Sequence, residues 1–461
     1  MGISVSQGLD PSIFRAYDIR GIYPREINEV GVYKIARAIF EYARPQKVAV
    51  GRDCRLSAPA IHQAVCQSFI GSGCKVIDLG MISSDMAVFA AGRFKFDLAV
   101  MVTASHNPRE WIGIKLTKRG GAPIGGEGEI EKIADIVGNL SKELKMPNEE
   151  LVDVEKLDML SEWVEHVLSF VDVAKIKSMK IVVDAGNGVA GPIVRELFKK
   201  LPVELIEMYF EPDGSFPNHL PSPIEPKNMA DLQRKVVEIG ADLGVAFDGD
   251  ADRVFLVDER GRIVTGSEMT AMVADKILSE DPGRVVLYNA ICGWNVRDVV
   301  EQHKATAYRT KVGHDYIKKD MEKCGAFFAG EHSGHFFFQD NFNADSGLIA
   351  AAIVLALLSK EGRPLSEVLV PHRKHFQIPE TNFQVADTRA VIDKLAARYA
   401  GKEIDRLDGL TIRAEDWWAN VRPSSTEPLL RLNVEAKSSE TLSQMTCELT
   451  ETITALSRVS V

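Results

Sequence analysis

The apolar positions along the chain fall into short runs, each closed by glycine or polar residues and followed by a stretch with helical spacing. This pattern occurs three times. The first copy has KVAV at 47–50, KVID at 75–78 and LAVMV at 98–102, and the second has KIVV at 180–183, VELIEM at 203–208 and LGVAF at 243–247. The third has VVLY at 285–288, ATAY at 305–308 and AFFA at 326–329, with amphipathic stretches such as 231–239 and 315–324 between the later runs. Strands that alternate with helices call for right-handed crossovers and mostly parallel sheets. From about Val370 the pattern changes to strands such as 429–435, flanked by helices at 388–399 and 439–457. The expected fold class is α/β: three similar domains with mixed or parallel sheets, then a small C-terminal α+β domain. The breaks are expected to give domains at 1–150, 151–255, 256–368 and 369–461.

Each third run leads straight into an unusual polar loop: TASHNP from Thr103, DGDADR from Asp248 and GEHSGH from Gly330. In open α/β sheets ligands bind beyond the carboxyl ends of strands, so three repeats can present three loops to one central cleft. Three unrelated turns are the plainer alternative.

Composition narrows the partners. The chain has 55 Lys and Arg against 65 Asp and Glu, a net charge of -10. That balance lacks the basic footprint of a nucleic-acid binder, so no nucleic acid and a small-molecule partner are expected. The longest apolar run, 347–358, falls short of the roughly 20 residues that a membrane span requires, so no membrane partner is expected either. No basic, apolar and small-residue succession opens the chain, which argues against a cleaved secretory signal. Six cysteines without CxxC spacing are too sparse for a disulfide framework, and a cytoplasmic setting is expected.

In DGDADR, Asp248, Asp250 and Asp252 alternate after a buried-looking strand, so three carboxylates can converge on one hard cation such as Mg²⁺. A calcium loop does not fit, because Arg253 stands where such a loop needs glycine. A solvated acidic turn remains the bland reading. TASHNP places Ser105 and His106 at a strand end. Ser105 can be a nucleophile or phosphate carrier only if a base, metal or charge assists it, and it can equally be a turn hydroxyl. Lys115, on the following strand, suits proton transfer or a phosphate-facing charge, or is an ordinary edge lysine. GEHSGH groups Glu331, His332, Ser333 and His335, a set suited to sugar hydroxyls. His314 stands upstream in KVGH, just before a helix, where capping is the alternative. In RPSST, Arg422 joins the hydroxyls of Ser424, Ser425 and Thr426, a donor set matched to a phosphate dianion.

FRAYDIRG at 14–21, TASHNP, DGDADR, GEHSGH and RPSSTEP occur in one order across nearly the whole chain. On these motifs the sequence resembles the α-D-phosphohexomutase family, in its bacterial phosphomannomutase/phosphoglucomutase branch. The resemblance implies four domains around a deep cleft: a phosphoserine domain, a metal domain, a sugar domain and a phosphate domain. It implies reversible interconversion of hexose 6-phosphate and hexose 1-phosphate through a phosphoserine enzyme and a hexose 1,6-bisphosphate intermediate, which also serves as activator. Ser105 would carry the phosphoryl group, with Mg²⁺ on Asp248, Asp250, Asp252 and an oxygen of phospho-Ser105. His106 joins the catalytic set. Arg253 would stabilise charge on the transferring group, and Arg20, Lys115 and His335 would form the acid/base cluster. Glu331 and Ser333 would hold sugar hydroxyls, Arg422, Ser424, Ser425 and Thr426 the distal phosphate, and Tyr17 and His314 would be further cleft residues. A monomer or homodimer is expected.

Three positions depart from the family pattern. Ile112 stands where many relatives have Asn, implying one lost polar cleft residue. Ser425 stands where Asn or Gly is common, and the segment NAICGWNV at 289–296 carries no basic residue where many members have one. His332 stands where the glucosamine branch commonly has Gln, which favours the mannose-accepting branch over a phosphoglucosamine mutase. The rivals from other classes are an aspartate-based Mg²⁺-dependent phosphatase using DGDADR and a non-catalytic sugar-phosphate binder.

Overall fold

The computed structural model describes residues 9–15, 17–125, 128–140, 146–147, 154–424 and 429–458. The first block contains β1 (Ile19–Ile22), α1 (Glu29–Ala43), β2 (Lys47–Arg52), α2 (Ala58–Gly71), β3 (Lys75–Met81), α3 (Ser84–Arg93), β4 (Leu98–Val102), β5 (Trp111–Lys118), α4 (Glu129–Asn139) and β6 (Glu155–Lys156). Its sheet runs in the order β1-β5-β4-β2-β3-β6. β2 pairs parallel with both β3 and β4, whereas β5 pairs antiparallel with β4 and β1, so the sheet is mixed. β4 is buried along its whole length, as expected for a continuous apolar run covered on both faces. Ile19, Ile35, Phe69, Val100 and Ile114 lie at the centre of the core.

After α5 (Leu160–Leu168) the plan recurs with β7 (Met179–Asp184), α6 (Ala190–Phe198), β8 (Val203–Met208), α7 (Pro226–Ile239), β9 (Leu243–Phe247), β10 (Val254–Asp258) and β11 (Ile263–Val264), in the order β11-β10-β9-β7-β8. β7 lies parallel between β8 and β9, and β10 adds antiparallel to β9. The chain continues through α8 (Gly266–Glu280), β12 (Val285–Asn289), α9 (Trp294–Gln302), β13 (Thr306–Thr310), α10 (His314–Cys324) and β14 (Phe328–Gly330). β12 again lies parallel between its two partners, β13 and β14. Every run of the threefold pattern overlaps one of these strands, with AFFA entering β14 only at Phe328, and in each copy the first strand lies between the other two.

β15 (Phe336–Phe338), β16 (Ala344–Asp345), α11 (Gly347–Glu361) and α12 (Leu365–Val368) follow. The apolar run that opens at Gly347 is α11, buried nearly all round, as a helix without a polar face must be. Among the described residues no helix is long and apolar enough to cross a membrane. The last part comprises β17 (Phe376–Gln377), β18 (Thr381–Gln384), α13 (Thr388–Arg398), β19 (Glu403–Asp405), β20 (Leu410–Arg413), β21 (Trp417–Pro423), β22 (Leu429–Ala436) and α14 (Ser439–Arg458). Its sheet is antiparallel, and Leu395, Ile412, Val421, Leu432 and Leu449 pack in its core. The chain divides into two compact units: residues 1–265 with 333–367, and residues 266–332 with 368–461.

Within the first unit one buried cation shapes the loop after β4. Arg55 is fully buried, and its Nε donates to Asp53 Oδ2 at 3.1 Å. Its Nη2 donates to the carbonyls of Ser105 and Asn107, both at 2.7 Å, and its Nη1 to those of Pro108 at 2.6 Å and Trp111 at 3.0 Å. Burial pushes the Asp53 carboxyl upward, against the opposing pull of Arg55. Breaking such a pair strands a buried charge, and here it also frees four loop carbonyls. Arg55→Met is expected to lower unfolding free energy by about 3–5 kcal/mol, read by urea denaturation. A loss within experimental error of zero would refute the assigned grip.

Candidate active site

The serine loop leaves β4 at Thr103. Ser105 is buried and has a positive φ of 49°, a conformation uncommon for a residue with a Cβ. Its N–H donates to Thr103 Oγ1 at 2.9 Å, and that hydroxyl lies 2.8 Å from Asp53 Oδ2. The turn thereby directs Ser105 Oγ to Asp248 Oδ2, to which it donates at 2.7 Å, with His106 Nδ1 3.2 Å away. Burial first, then the Arg253 and Arg20 cations, hold His106 well below the ordinary histidine range, so its ring is neutral. Arg20 on β1 donates to Asn107 Oδ1 at 2.5 Å and to Asp18 Oδ2 at 2.5 Å, which ties the first strand to the serine loop. Tyr17 is half-buried in the bend before β1.

Asp248, Asp250 and Asp252 follow β9 and are all buried, and one oxygen of each lies within 4.8 Å of the others. Burial, then Asp252 and Asp250, raise the Asp248 carboxyl well above its usual range. Burial would raise Asp250 too, but Lys115 reverses the direction and its carboxyl is lowered. Lys115 Nζ donates to Asp250 Oδ2 and Asp252 Oδ2, both at 2.7 Å, and to Ser84 Oγ at 3.2 Å. Burial would lower its pKa, yet the two carboxylates overcome that and raise it, so the ammonium stays charged. Asp250 Oδ1 and Asp252 Oδ1 are buried without a hydrogen-bond partner. Unpartnered carboxylate oxygens converging in an oxygen-only cluster fit a hard divalent cation better than a solvated turn.

Arg253 and His335 complete this centre. Arg253 Nε stands 3.6 Å from Asp248 Oδ2 and 4.0 Å from Asp252 Oδ1, and its backbone bridges to His335. His335 Nδ1 stands 2.7 Å from Asp345 Oδ2 and 3.8 Å from Asp252 Oδ1. Ser105, His106, Lys115, Arg20, Arg253, His335 and the three aspartates therefore lie in one unit around one point. Strand alternation explains Lys115: Ile112, Ile114 and Leu116 enter the core while Lys115 takes the other face of β5. The expected loss of a polar cleft residue at Ile112 is corrected by this register, because Ile112 is a core residue paired with Gly21.

The second unit holds the remaining described candidates other than Ser333. Glu331 is buried after β14, and its Oε1 accepts from Asn289 Nδ2 at 3.0 Å and Gly313 N at 3.2 Å. It therefore knits together the loops at the ends of β12 and β13. His314 opens α10, with Nε2 3.1 Å from Asp315 Oδ1. Arg422 stands one residue before the end of β21, where Nη2 donates to Glu380 Oε2 at 3.1 Å, and Ser424 N donates to the Leu429 carbonyl at 2.8 Å. Ser425 and Thr426 lie outside the described residues. Ser333 is half-buried and belongs to the first unit. At the NAICGWNV segment, Trp294 N and Trp418 Nε1 donate to the buried carboxylate of Glu435. A protein carboxylate thus accepts from the first N–H of α9, whose first basic residue is Arg297.

Sequence patterns give no sign of Ser84 or Asp345. Asp53 and Arg55 carry a usable signal, since GRDCR at 51–55, like DAGNG at 184–188, is a polar stretch at the end of a central strand. Gly249, inside DGDADR, stands against the serine loop, and a Cβ there would lie 2.5 Å from the Ser105 carbonyl oxygen. That clash is with backbone, so relief requires the serine and aspartate loops to separate. Gly249→Ala is expected to cost about 1–3 kcal/mol in a denaturant titration and to lower turnover. An alanine protein with unchanged midpoint and rate would show that the approach carries no weight.

Family models for phosphoglucomutase/phosphomannomutase α/β/α domains I, II and III match residues 11–143, 161–261 and 265–375, and the model for the C-terminal domain matches 380–451. The chain is 34% identical over 435 residues to a phosphomannomutase of Salmonella montevideo, covering 92% of this chain and 94% of that protein. It is 35% identical over 450 residues to a phosphomannomutase/phosphoglucomutase of Pseudomonas putida, covering 96% and 95%. A crystal structure of a phosphoglucomutase/phosphomannomutase family protein from Burkholderia thailandensis superposes with a TM-score of 0.87 at 32% identity, covering 97% of this chain and 98% of that one. With four consecutive domain models matched and relatives aligned over nearly their full length, the chain belongs to the phosphoglucomutase/phosphomannomutase family.

Proposed function

We propose that the chain is a reversible hexose-phosphate mutase, an isomerase acting on mannose phosphates and also on glucose phosphates. The observation that carries this reading is the buried Ser105 hydroxyl, 2.7 Å from Asp248 Oδ2 and set among three carboxylates and Lys115. Phospho-Ser105 gives its phosphoryl group to a free hydroxyl of a hexose monophosphate, producing a hexose 1,6-bisphosphate. That intermediate turns over in the site and returns its other phosphoryl group to Ser105, so no phosphate is consumed. The bisphosphate also serves as activator by rephosphorylating any enzyme that has lost its phosphate.

Asp248, Asp250 and Asp252, with an oxygen of phospho-Ser105, would hold Mg²⁺, which when bound neutralises charge on the transferring phosphoryl group. Arg253, beside Asp248, supplies a fixed cation to the same group. Lys115 remains protonated between its two carboxylates, which hold its pKa above the usual value, so it suits charge stabilisation rather than proton transfer. His335, whose Nδ1 stands 2.7 Å from Asp345 Oδ2, is the candidate in this centre to exchange a proton with a sugar hydroxyl. Arg20 holds the serine loop through Asn107, and the neutral ring of His106 adds no charge beside Ser105.

Glu331 and Ser333 would take the sugar hydroxyls common to both substrate poses, with Tyr17 and His314 as further contacts. Arg422, Ser424, Ser425 and Thr426 would hold the phosphate that is not reacting. Each loop then has one role, for phosphoserine, metal, sugar or phosphate. We further propose a cytoplasmic enzyme, monomeric or homodimeric. Its six cysteines are all free thiols, which fits a reducing compartment.

A coupled assay with a catalytic amount of glucose 1,6-bisphosphate is expected to convert mannose 1-phosphate and glucose 1-phosphate to their 6-phosphates. Ser105→Ala should reduce kcat by on the order of 10³-fold or more. Net phosphate release that survives this substitution would instead indicate the phosphatase, and binding without turnover the non-catalytic binder. Independently of activity, Mg²⁺ at about 100 times its Kd should add about 2.7 kcal/mol of stability in calorimetry. The gain should vanish in Asp252→Asn, and a gain that persists there would place the cation elsewhere.

A further inference from the structure

Asp252 belongs to a second cluster of different chemistry, with His335 and Asp345. All three residues are buried, and one ligating atom of each lies within 4.8 Å of the others. Strand pairing assembles them. The backbone of Arg253 bridges to that of His335, which sets Asp252 beside the histidine, and β16 pairs antiparallel with β15, which returns Asp345 to the same place.

Two atoms of this cluster, Asp252 Oδ1 and His335 Nδ1, have no hydrogen-bond partner among the described residues. Their residues are only 4% and 6% exposed, so bulk water does not satisfy them. Nδ1 lies 2.7 Å from Asp345 Oδ2 and 3.8 Å from Asp252 Oδ1, yet neither contact is a hydrogen bond, the first being misaligned and the second too long. Ligand atoms around a tetrahedral cation with bonds of about 2.0–2.2 Å stand about 3.3–3.6 Å apart. The two observed separations bracket that spacing, so small side-chain rotations suffice to seat a cation. Charge favours one as well. Burial, with Asp252 and Asp345 adding to it, pushes up the carboxyl of neighbouring Asp85. Of the nearby cations, Lys115 is engaged on Asp252 Oδ2, and Arg253 Nε stands 4.0 Å from Oδ1. Oxygen ligands alone suit Mg²⁺, whereas an imidazole among carboxylates suits a borderline metal such as Zn²⁺.

We propose that His335 Nδ1, Asp345 Oδ2 and Asp252 Oδ1 form a second cation site, selective for Zn²⁺ over Mg²⁺, with a fourth position left for water. The site stands independently of the mutase reading. Its consequence does rest on that reading: a filled site holds the ring of His335 and removes it from proton exchange.

The test titrates Zn²⁺ into metal-free full-length protein against a competing chelator, in the parent and in single variants, with Mg²⁺ binding followed in parallel as a rise in Tm. One equivalent of Zn²⁺ should bind. His335→Gln and Asp345→Asn should each weaken it by more than about 100-fold, beyond the range of a residue that only supports a ligand. Both should keep the Mg²⁺ response, which also shows that they fold. Asp250→Asn, outside this cluster, should do the reverse, losing Mg²⁺ and keeping Zn²⁺. If Zn²⁺ follows Asp250 and ignores His335, it occupies the three-aspartate site and the inference is overturned. Loss of both metals in His335→Gln or Asp345→Asn would overturn the division into two sites, and unchanged Zn²⁺ affinity in both would place the metal elsewhere. Co²⁺ gives a further readout, with weak visible bands expected from nitrogen and oxygen ligands. A strong near-ultraviolet thiolate band would instead assign the metal to one of the six free cysteines and overturn the site.

Discussion

Keeping three carboxylates of one short loop out of water, within reach of a serine hydroxyl, is the requirement that organises the first compact unit. Burying anions is costly unless each is paired or shares a cation. Lys115 comes from β5, Arg253 from the loop itself, and Ser84 from the first residue of α3, where its hydroxyl donates to Asp250 Oδ2 at 2.6 Å. Asp85, next to Ser84, shows how far the surroundings are already loaded with charge. Burial lifts its carboxyl to about 7 despite hydrogen bonds from Ser346 and Ser83, and Asp252 and Asp345 push in the same direction. Ser346 is also the N-cap of α11, accepting from Ile349 N at 3.2 Å, so the longest apolar helix of this unit is anchored to the same network. Packing and electrostatics are therefore not separate layers here.

The threefold pattern has a structural meaning beyond its repetition. In each copy the central strand is the first run, and the loop chosen for chemistry follows the third. Identical topology thus presents different residues at equivalent strand ends: a serine after β4, aspartates after β9, a glutamate and histidines after β14. β4 and β9, buried along their whole length, carry only apolar residues and glycine, because a strand covered on both faces leaves no room for polar side chains, and the chemistry is left to the loops that follow.

Local period and strand-end position made the strands, the main helices and the three polar loops legible in the sequence. What lay beyond reach was set by distant partners. Arg55 grips carbonyls some fifty residues away, and no spacing rule marks it among the other arginines. Ile112 enters the core rather than a cleft because the pairing of β5 with β1 decides which face of the strand it occupies, and a motif letter does not carry that information. Glu380 belongs to no hydroxyl-rich or glycine-rich signature, and its place between the Arg422 and Arg431 guanidiniums follows only from the register of β21 on β22. Asp345 likewise gains its meaning from pairing, since β16 lies against β15 and brings the carboxylate to His335. Propensity and pattern locate elements, whereas side-chain partnerships across elements depend on tertiary register.

The first compact unit is assembled from two separated stretches of chain, 1–265 and 333–367. The earlier stretch contains the serine and all three aspartates, but His335, Asp345 and α11 arrive only with the later one. During synthesis the acidic centre is therefore present long before the histidine and the capping serine that complete its surroundings. A ribosome adding about 5–20 residues per second would leave that centre exposed for several seconds while the intervening segment is made. The order in which the parts emerge thus differs from the order in which they pack, and a fragment cut at Thr265 would carry the Ser105 hydroxyl without its finished enclosure.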